Sequence, residues 1–172
     1  PQKQNVQKQL ERLAAQREIY SSAKRYYIFQ IIFTVVIPAL FALISICKSE
    51  YSPFTALYGT VFFIFDILFI EPVIKARKLK AAKIQEQFDC DVLKIQKSPL
   101  KIVDDIIIEE VLAAYNTHSK RKQNIENLKN WYSNDIGQLP IDIARLICQR
   151  TNCRWDSRLR VDYSESLKYL VF

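Results

Sequence analysis

Two long apolar runs, separated by three residues, constrain this sequence more than any other feature. The first covers residues 26–47 and contains no charged side chain, and the second covers residues 51–74 and contains two carboxylates. As a helix, the first run would span roughly 33 Å, about the thickness of a bilayer's hydrocarbon core. An uncharged helix of this length is unusual in the core of a soluble domain. The pattern therefore predicts a transmembrane helical hairpin over residues 26–75.

Basic residues lie almost entirely on one side of this hairpin. Segments on the cytoplasmic side of a membrane carry an excess of Lys and Arg, so we expect both chain ends in the cytoplasm and the linker outside. The net charge of +7 has the same origin, and we expect no DNA or RNA polymer as a partner. The linker has only Lys48, whereas the other ends of the runs have Arg17, Lys24, Arg25, Lys75, Arg77, Lys78, Lys80 and Lys83.

The segment before the hairpin, residues 1–25, predicts an amphipathic juxtamembrane helix. Apolar residues recur there at helical spacing among Lys, Arg and Gln. We expect this helix to lie on the membrane surface or to pack against the soluble domain. Its apolar positions are Val6, Leu10, Leu13, Ala14 and Tyr20.

The segment after the hairpin, residues 76–165, predicts a helical cytoplasmic sensor domain. The whole chain has two glycines, and no strand-like alternation of useful length occurs. Helices are expected over residues 102–122 and again from Pro140, which suits a first helical turn. Residues 166–172 are apolar again and are a possible start of a third membrane helix. The predicted fold class is all-α, a transmembrane hairpin plus a mainly helical cytoplasmic domain.

The apolar runs contain one amide, Gln30, and two carboxylates, Asp66 and Glu71. A lipid-facing charge costs at least about 2.5 kcal/mol at the membrane centre and less toward the ends. Asp66 is therefore expected to face protein or water. It lies at a depth similar to that of Gln30, so the two could meet across the hairpin, meet between subunits or line a pore. The alternative is that the carboxylate of Asp66 reaches to the membrane interface or pairs with the cations around Lys75.

Catalytic chemistry has little support in this sequence. The single histidine, His118, lies in a basic stretch that predicts a solvated loop, and two glycines could not build a phosphate-binding loop. Hydrolase and kinase signatures are absent, and the four cysteines lack metal-ligand spacing. For Asp89 and Asp91, pairing with basic neighbours at a helix end is favoured over a ligand-facing role. We expect no catalytic residue, no metal and no cofactor, and so no enzyme.

Residues 139–160 form the most distinctive polar stretch, with five arginines and two aspartates. Arg150, Arg154 and Arg158 are spaced by four, so they share one face of an unbroken helix. Guanidinium groups suit phosphate, and the indole of Trp155 can stack on a base. Candidate second stacking partners are Trp131 and Tyr132.

Two other interpretations of these arginines remain open. They could form a basic face beside the membrane. They could also pair inside the domain with the carboxylates of Asp89, Asp91, Asp104 and Asp105.

Three segments together resemble one known family. They are QKQLERLAAQREIYSSAKR before the first run, KIQEQFDCDVL after the second, and LPIDIARLICQRTNCRWDSRLR near the end. In this order they resemble the SMODS-associated four-transmembrane effectors, which accompany cyclic-oligonucleotide synthases in bacterial anti-phage operons. The resemblance implies four membrane helices with a soluble region between the second and third. This chain departs from that pattern, with two apolar runs and at most the first residues of a third.

The resemblance also implies a function at the bacterial inner membrane. A second messenger made during infection would switch on a pore-forming or membrane-disrupting protein. Our leading hypothesis is therefore an effector whose cytoplasmic domain binds a cyclic oligonucleotide and assembles as a homo-oligomer in the lipid bilayer. The alternative is a membrane-anchored scaffold that recruits a cytoplasmic protein through its basic helical domain. A membrane-bound enzyme is the least favoured.

Overall fold

A computed structural model describes residues 2–96, 107–120 and 122–171 of this chain. The described residues form helices and connecting turns without a β-strand, which confirms the predicted all-α class. The helices are α1 (Gln7–Cys47), α2 (Ser49–Leu93), α3 (Ile108–His118), α4 (Lys122–Glu126) and α5 (Ile141–Val171). Short 3-10 turns cover Gln2–Asn5 and Asn134–Gln138.

Helices α1 and α2 form an antiparallel hairpin that is about twice as long as a membrane span. They have 41 and 45 residues, or roughly 60 Å and 70 Å at the helical rise. The expected juxtamembrane helix is therefore the first half of α1, which crosses the expected boundary at residue 25 without a break. Of the two positions expected for it, the structure shows packing on the soluble domain. The division of the chain into domains remains a prediction.

The apolar halves of α1 and α2 are uncovered by other described residues. No residue in the most apolar window of α1 is buried, and 11% of the corresponding window of α2 is buried. Helices this long and apolar are able to cross a membrane. A core helix of a soluble protein would be covered, and soluble proteins rarely expose apolar patches of this extent. A bilayer is the environment that fits this half of the hairpin.

Two cation–aromatic pairs lie at the boundary between the apolar half of the hairpin, residues 26–74, and its polar half. The guanidinium of Arg77 lies 4.7 Å from the ring centre of Tyr26 and donates a 2.6 Å hydrogen bond to the hydroxyl of Ser22. The ammonium of Lys78 lies 5.7 Å from the ring centre of Tyr27. Tyrosine rings and basic side chains are typical of a membrane–water interface.

Each long helix has one π turn, and a proline follows each turn closely. The turn Ile32–Val36 precedes Pro38, and the turn Asp66–Ile70 precedes Pro72. Proline has no N–H and clashes with the carbonyl four residues earlier, so the preceding turn widens to i→i−5 bonds. Both helices therefore continue past their prolines.

The soluble half of the hairpin forms a small core with the elements that follow it. Leu10, Leu13 and Ala14 of the apolar face predicted for the start of α1 pack against the end of α2, the turns after α4 and the first part of α5, whereas Val6 and Tyr20 are exposed. The buried members are Leu10, Leu13, Ala14, Phe88, Val92, Leu93, Leu128, Tyr132 and Cys148.

The expectation of a solvated loop at His118 is wrong. This residue ends α3, and its side chain is 10% exposed, with Nδ1 3.7 Å from a carboxylate oxygen of Glu18 on α1. Helix α3 packs along α1 and so covers the imidazole. Of the helix expected over residues 102–122, the structure shows Ile108–His118 as α3, with a turn at 119–120, and residues 102–106 and 121 lie outside the described residues.

Helix α5 docks against the end of α2 in the opposite direction. Nε of Arg145 donates to the carbonyl of Leu93 at 2.9 Å, and its Nη2 donates to that of Lys94. A cation at a helix C-terminus satisfies carbonyls that have no intrahelical donor. Seven residues later, Asn152 reaches Asp89, which is earlier in α2. Helix α5 therefore runs back toward the membrane half.

Gln4 ties the start of the chain to this core, and its removal is predicted to destabilise the fold. Its amide donates to the carbonyl of Tyr132 at 2.9 Å and accepts from the Tyr132 N–H at 2.8 Å. Gln4→Ala leaves two buried backbone groups unpaired, at about 1–3 kcal/mol each. We expect a lower thermal unfolding midpoint in detergent, with the exposed Lys3→Ala as control. Equal midpoints would contradict this role.

Candidate functional site

Helix α5 has a docking face and an opposite outward face. Ala144, Cys148 and Asn152 are spaced by four and form the docking face; the first two are buried and Asn152 is half-buried. Arg150 and Arg154 are each two positions from Asn152, a rotation of about 200° around the helix. The arginine face, which we define as Arg150, Arg154 and Arg158, therefore points away from the core.

The side chains of the arginine face are exposed and make no hydrogen bond or ion pair with any described residue.

The described carboxylates that were expected to pair with these arginines bind other side chains. Asp89 bonds Tyr132 and Asn152, and Asp91 bonds Arg12 and Gln9. Asp104 and Asp105 lie outside the described residues. Internal pairing with Asp89 or Asp91, the alternative from the sequence, is not what the structure shows.

The three candidate stacking residues have different surroundings. Trp155 is 66% exposed, but it lies on the line of the docking face, nearer to Arg158 than to Arg154. Trp131 is 37% exposed in the turn before α5. Tyr132 is 2% exposed and packs on Phe88, with ring centres 6.2 Å apart. Its ring is covered, so the structure places Tyr132 in the core and not on a ligand surface.

Tyr132 belongs instead to a polar cluster at the junction of α2 and α5, which we call the Asp89 cluster. Its hydroxyl donates to Asp89 at 2.6 Å and accepts from the Asn152 amide at 2.9 Å. Burial raises the pKa of Asp89, and the hydrogen bond from Tyr132 offsets this only in part. Burial, followed by the charge of Asp89, also raises the pKa of Tyr132.

Asn152 was not predicted from the sequence, because the prediction for this stretch rested on the spacing of Arg150 and Arg154 on either side of it. The available signal was the four-residue spacing of Ala144, Cys148 and Asn152, which defines the face opposite to the arginines. Asn152 is also the last described residue of α5 that is not fully exposed. The helix therefore leaves the core at this position.

A second polar site lies in the membrane half of the hairpin. Nε2 of Gln30 lies 2.9 Å from each carboxylate oxygen of Asp66. Of the arrangements considered from the sequence, the structure shows contact across the hairpin. Glu71, the second carboxylate of the apolar runs, pairs with Lys75 at 2.7 Å. It is therefore Glu71, not Asp66, that bonds the first cation after the apolar run.

The two π turns flank this pair. The turn on α1 begins two residues after Gln30, and the turn on α2 begins at Asp66 itself. The hydroxyl of Tyr58 donates to the carbonyl of Phe33 at 3.1 Å. Pro38 cannot supply an i→i−5 donor to that carbonyl, which explains the need for a side-chain partner. π turns are frequent at functional sites, and the pair lies where the backbone of each helix is least regular.

The stability of the soluble half is predicted to depend on pH in opposite ways through Asp89 and Asp91. The folded-state pKa of Asp89 is raised, so its contribution is full below the unfolded value of about 3.9 and is lost as pH rises through the folded value. We expect wild type to gain stability relative to Asp89→Asn as pH falls from about 7 to about 4. Thermal unfolding at several pH values measures this.

Asp91→Asn is the matched control. Although partial burial acts the other way, the hydrogen bond and charge of Arg12 lower the pKa of Asp91 below its usual range. Its contribution is present above about pH 4 and is lost as pH falls through the folded value. The two variants should therefore show opposite trends, and the same trend in both would contradict the assignment.

Comparisons with known proteins agree with this architecture. Residues 1–172 match the family described as the SMODS-associating 4TM effector domain. One curated relative, named a probable CBASS effector molecule of Bacillus cereus (strain VD146), is 28% identical over 169 residues. That alignment covers 95% of this chain and 56% of the relative, so the chain spans about half the relative's length. No solved structure matches. The chain belongs to the SMODS-associating 4TM effector domain family.

Proposed function

We propose that this chain is the membrane effector of an anti-phage second-messenger system and is not an enzyme. Its cytoplasmic domain binds a cyclic oligonucleotide, and binding triggers pore formation or membrane disruption. The observation that supports this most directly is the arginine face, three exposed guanidinium groups without a described partner on one side of α5. The relative's name as a probable CBASS effector molecule supports the same role.

The arginine face suits a ligand with several phosphodiesters. Three cations spaced by four residues lie along roughly 12 Å of helix, and guanidinium groups bind phosphate oxygens through paired donors. Trp155 adds an exposed flat surface for a base beside Arg158. Trp131, also partly exposed, is the remaining stacking candidate. The ligand class is therefore a cyclic oligonucleotide, held by charge and stacking.

The direction of the arginine face favours a homo-oligomer. Since it points away from the core of its own chain, the opposite side of a bound ligand is open to a second copy. The same side of α5 carries exposed apolar residues one and two turns earlier, Ile143 and Leu146. A ligand held between two such helices would link messenger concentration to assembly.

The path of α5 supports a third membrane helix. Asp156 lies close enough for its charge, after burial, to contribute to the raised pKa of Tyr20. Tyr20 precedes the interfacial Tyr26 by six residues, and six residues beyond Asp156 the helix is still continuous. Residues 166–171, the last described part of α5, therefore fall near the entry to the membrane. We place the soluble half on the cytoplasmic side of the bacterial inner membrane and residues 48–50 outside.

The Gln30–Asp66 pair is the candidate polar element of the pore. In the hairpin described here the carboxylate is satisfied by an amide of the same chain. Rearrangement of α1 against α2 would release both groups toward water or toward another subunit. A carboxylate so released could line a cation path.

A membrane-anchored scaffold is the second candidate. The exposed apolar side chains of Leu139, Ile143 and Leu146 favour it, because they would suit a cytoplasmic protein as well as a second copy. Stable capture of a protein without nucleotide binding would distinguish this function from the first.

The arginine face is predicted to be required for messenger binding and not for folding. We expect Arg154→Ala and Trp155→Ala to keep the wild-type unfolding midpoint without ligand, because neither side chain bonds a described residue. Both should lose stabilisation by cyclic di-AMP, cyclic GMP–AMP or cyclic tri-AMP, whichever stabilises wild type. Thermal-shift measurements on purified protein test this, with toxicity in cells as the second readout.

Arg160→Ala is the matched control, since Arg160 is tied to Asp156 at 2.9 Å and lies off the arginine face. It should keep the ligand response. If Arg150→Ala, Arg154→Ala and Arg158→Ala all fold and bind with wild-type affinity, the proposed site is wrong. A lower midpoint of these variants without ligand would instead indicate a structural role.

Asp66 is predicted to be required for activity. Asp66→Leu should abolish killing and ion flux, because it removes the carboxylate proposed to line the path. Gln30→Leu should perturb flux as well, since it leaves Asp66 without its donor. Ser45→Ala, which removes a 2.9 Å contact with Thr55 elsewhere in the hairpin, is the control. Flux through proteoliposomes and killing in cells measure the effect, and unchanged values for Asp66→Leu would exclude the role.

A further inference from the structure

The Asp89 cluster lies on the docking face of α5, and among the described residues it is the hydrogen-bonded contact with the hairpin that stands closest in sequence to Arg150 and Arg154. Asn152 lies between Arg150 and Arg154 in sequence, and beyond it every described side chain of α5 is exposed. Its amide donates to the Tyr132 hydroxyl at 2.9 Å and to Asp89 at 3.4 Å. A force on the arginine face therefore reaches α2 first through this cluster.

Helix α2 connects the same cluster to the membrane pair. Asp89 and Asp66 belong to one helix, 23 residues and roughly 35 Å apart. The helix has no break between them, and its π turn begins at Asp66. The two polar contacts, one to α5 near the end of α2 and one to α1 nearer its middle, are thus joined by a continuous helix.

We infer that the Asp89 cluster is a latch, which holds α5 on α2 and thereby keeps the Gln30–Asp66 pair closed. Ligand binding at the arginine face would draw α5 outward, break the hydrogen bonds of Asn152, and let α2 shift against α1. This inference rests on the proposed function for the identity of the signal, but not for the coupling itself. The coupling requires only that the two contacts favour the same arrangement of α2.

The chemistry of the cluster suits a contact that must open. It consists of three hydrogen bonds, whereas the neighbouring core contacts of α2 are apolar. Water can replace hydrogen bonds when α5 moves, whereas it cannot replace apolar contacts as readily. Arg145 holds the start of α5 through the carbonyls of Leu93 and Lys94, so the helix can pivot there.

Hydrogen exchange without any nucleotide tests the latch. The membrane-embedded chain in nanodiscs is compared with Tyr132→Phe, which keeps the ring and removes the hydroxyl, and with Asn152→Leu. Gln149→Ala, an exposed position on the same helix, is the control. We expect both cluster variants to exchange the amides of residues 66–70 about fivefold or more faster than wild type, the lower end of typical coupling. The control should match wild type.

Acceleration confined to the surroundings of Asp89, Tyr132 and Asn152 in folded variants would overturn the inference. Leakage of dye from phosphatidylglycerol-containing vesicles gives a second readout. There Tyr132→Phe should leak faster than wild type without nucleotide, and adding Asp66→Leu should abolish the difference. If the exchange effect is present but no cyclic nucleotide binds, the latch stands and the proposed ligand fails. If nucleotide binding is intact but exchange at residues 66–70 is unchanged, the proposed ligand stands and the latch is wrong.

Discussion

The continuity of α1 and α2 between water and the apolar half is the constraint on which the rest of the structure depends. Backbone groups inside a bilayer must find partners within the protein, so a spanning helix cannot simply stop at an irregular point. Pro38 and Pro72 each lack a backbone N–H donor, and a π turn precedes each of them. The helices thus remain single rods that join the core around Phe88 to the pair at Asp66.

The soluble half has one region in which charged side chains are paired and another in which guanidinium groups have no described partner. Around the core the charges are matched: Arg12 with Asp91, Lys80 with Glu110, and Arg145 with the end of α2. On the outward side of α5 the arginines have no described carboxylate to match them. A local excess of cations on one helix face costs folding energy through mutual repulsion, which an anionic ligand would relieve.

Much of the fold could be predicted from the sequence because the signals were long. A run of twenty-two uncharged residues, with Lys and Arg concentrated on one side of the two runs, is enough to predict a membrane hairpin. Gln30 and Asp66 lie at a similar depth from the inner membrane boundary, which is enough to suggest that they meet. The arginine spacing likewise predicts a shared helix face. By contrast, the burial of Tyr132 and His118 depends on which helices pack together, and no local pattern around either residue indicates it. The position of Trp155 follows from the docking face of α5, which the arginine spacing alone does not indicate.

Helix α5 combines three environments in one element of 31 residues. Its first turns are fixed to the core, its middle carries the arginine face, and its last turns lead toward the membrane. A rigid helix cannot change its orientation in one of these regions without changing it in the others, unless it bends, and the described part has no proline or glycine after Ile141 to make bending easy. Movement at the arginine face would therefore alter both the contact at Asn152 and the angle at which the helix approaches the bilayer. The residue types follow this division, with small or amide side chains on the docking face, guanidinium groups without a described partner on the arginine face, and apolar residues where lipid is expected.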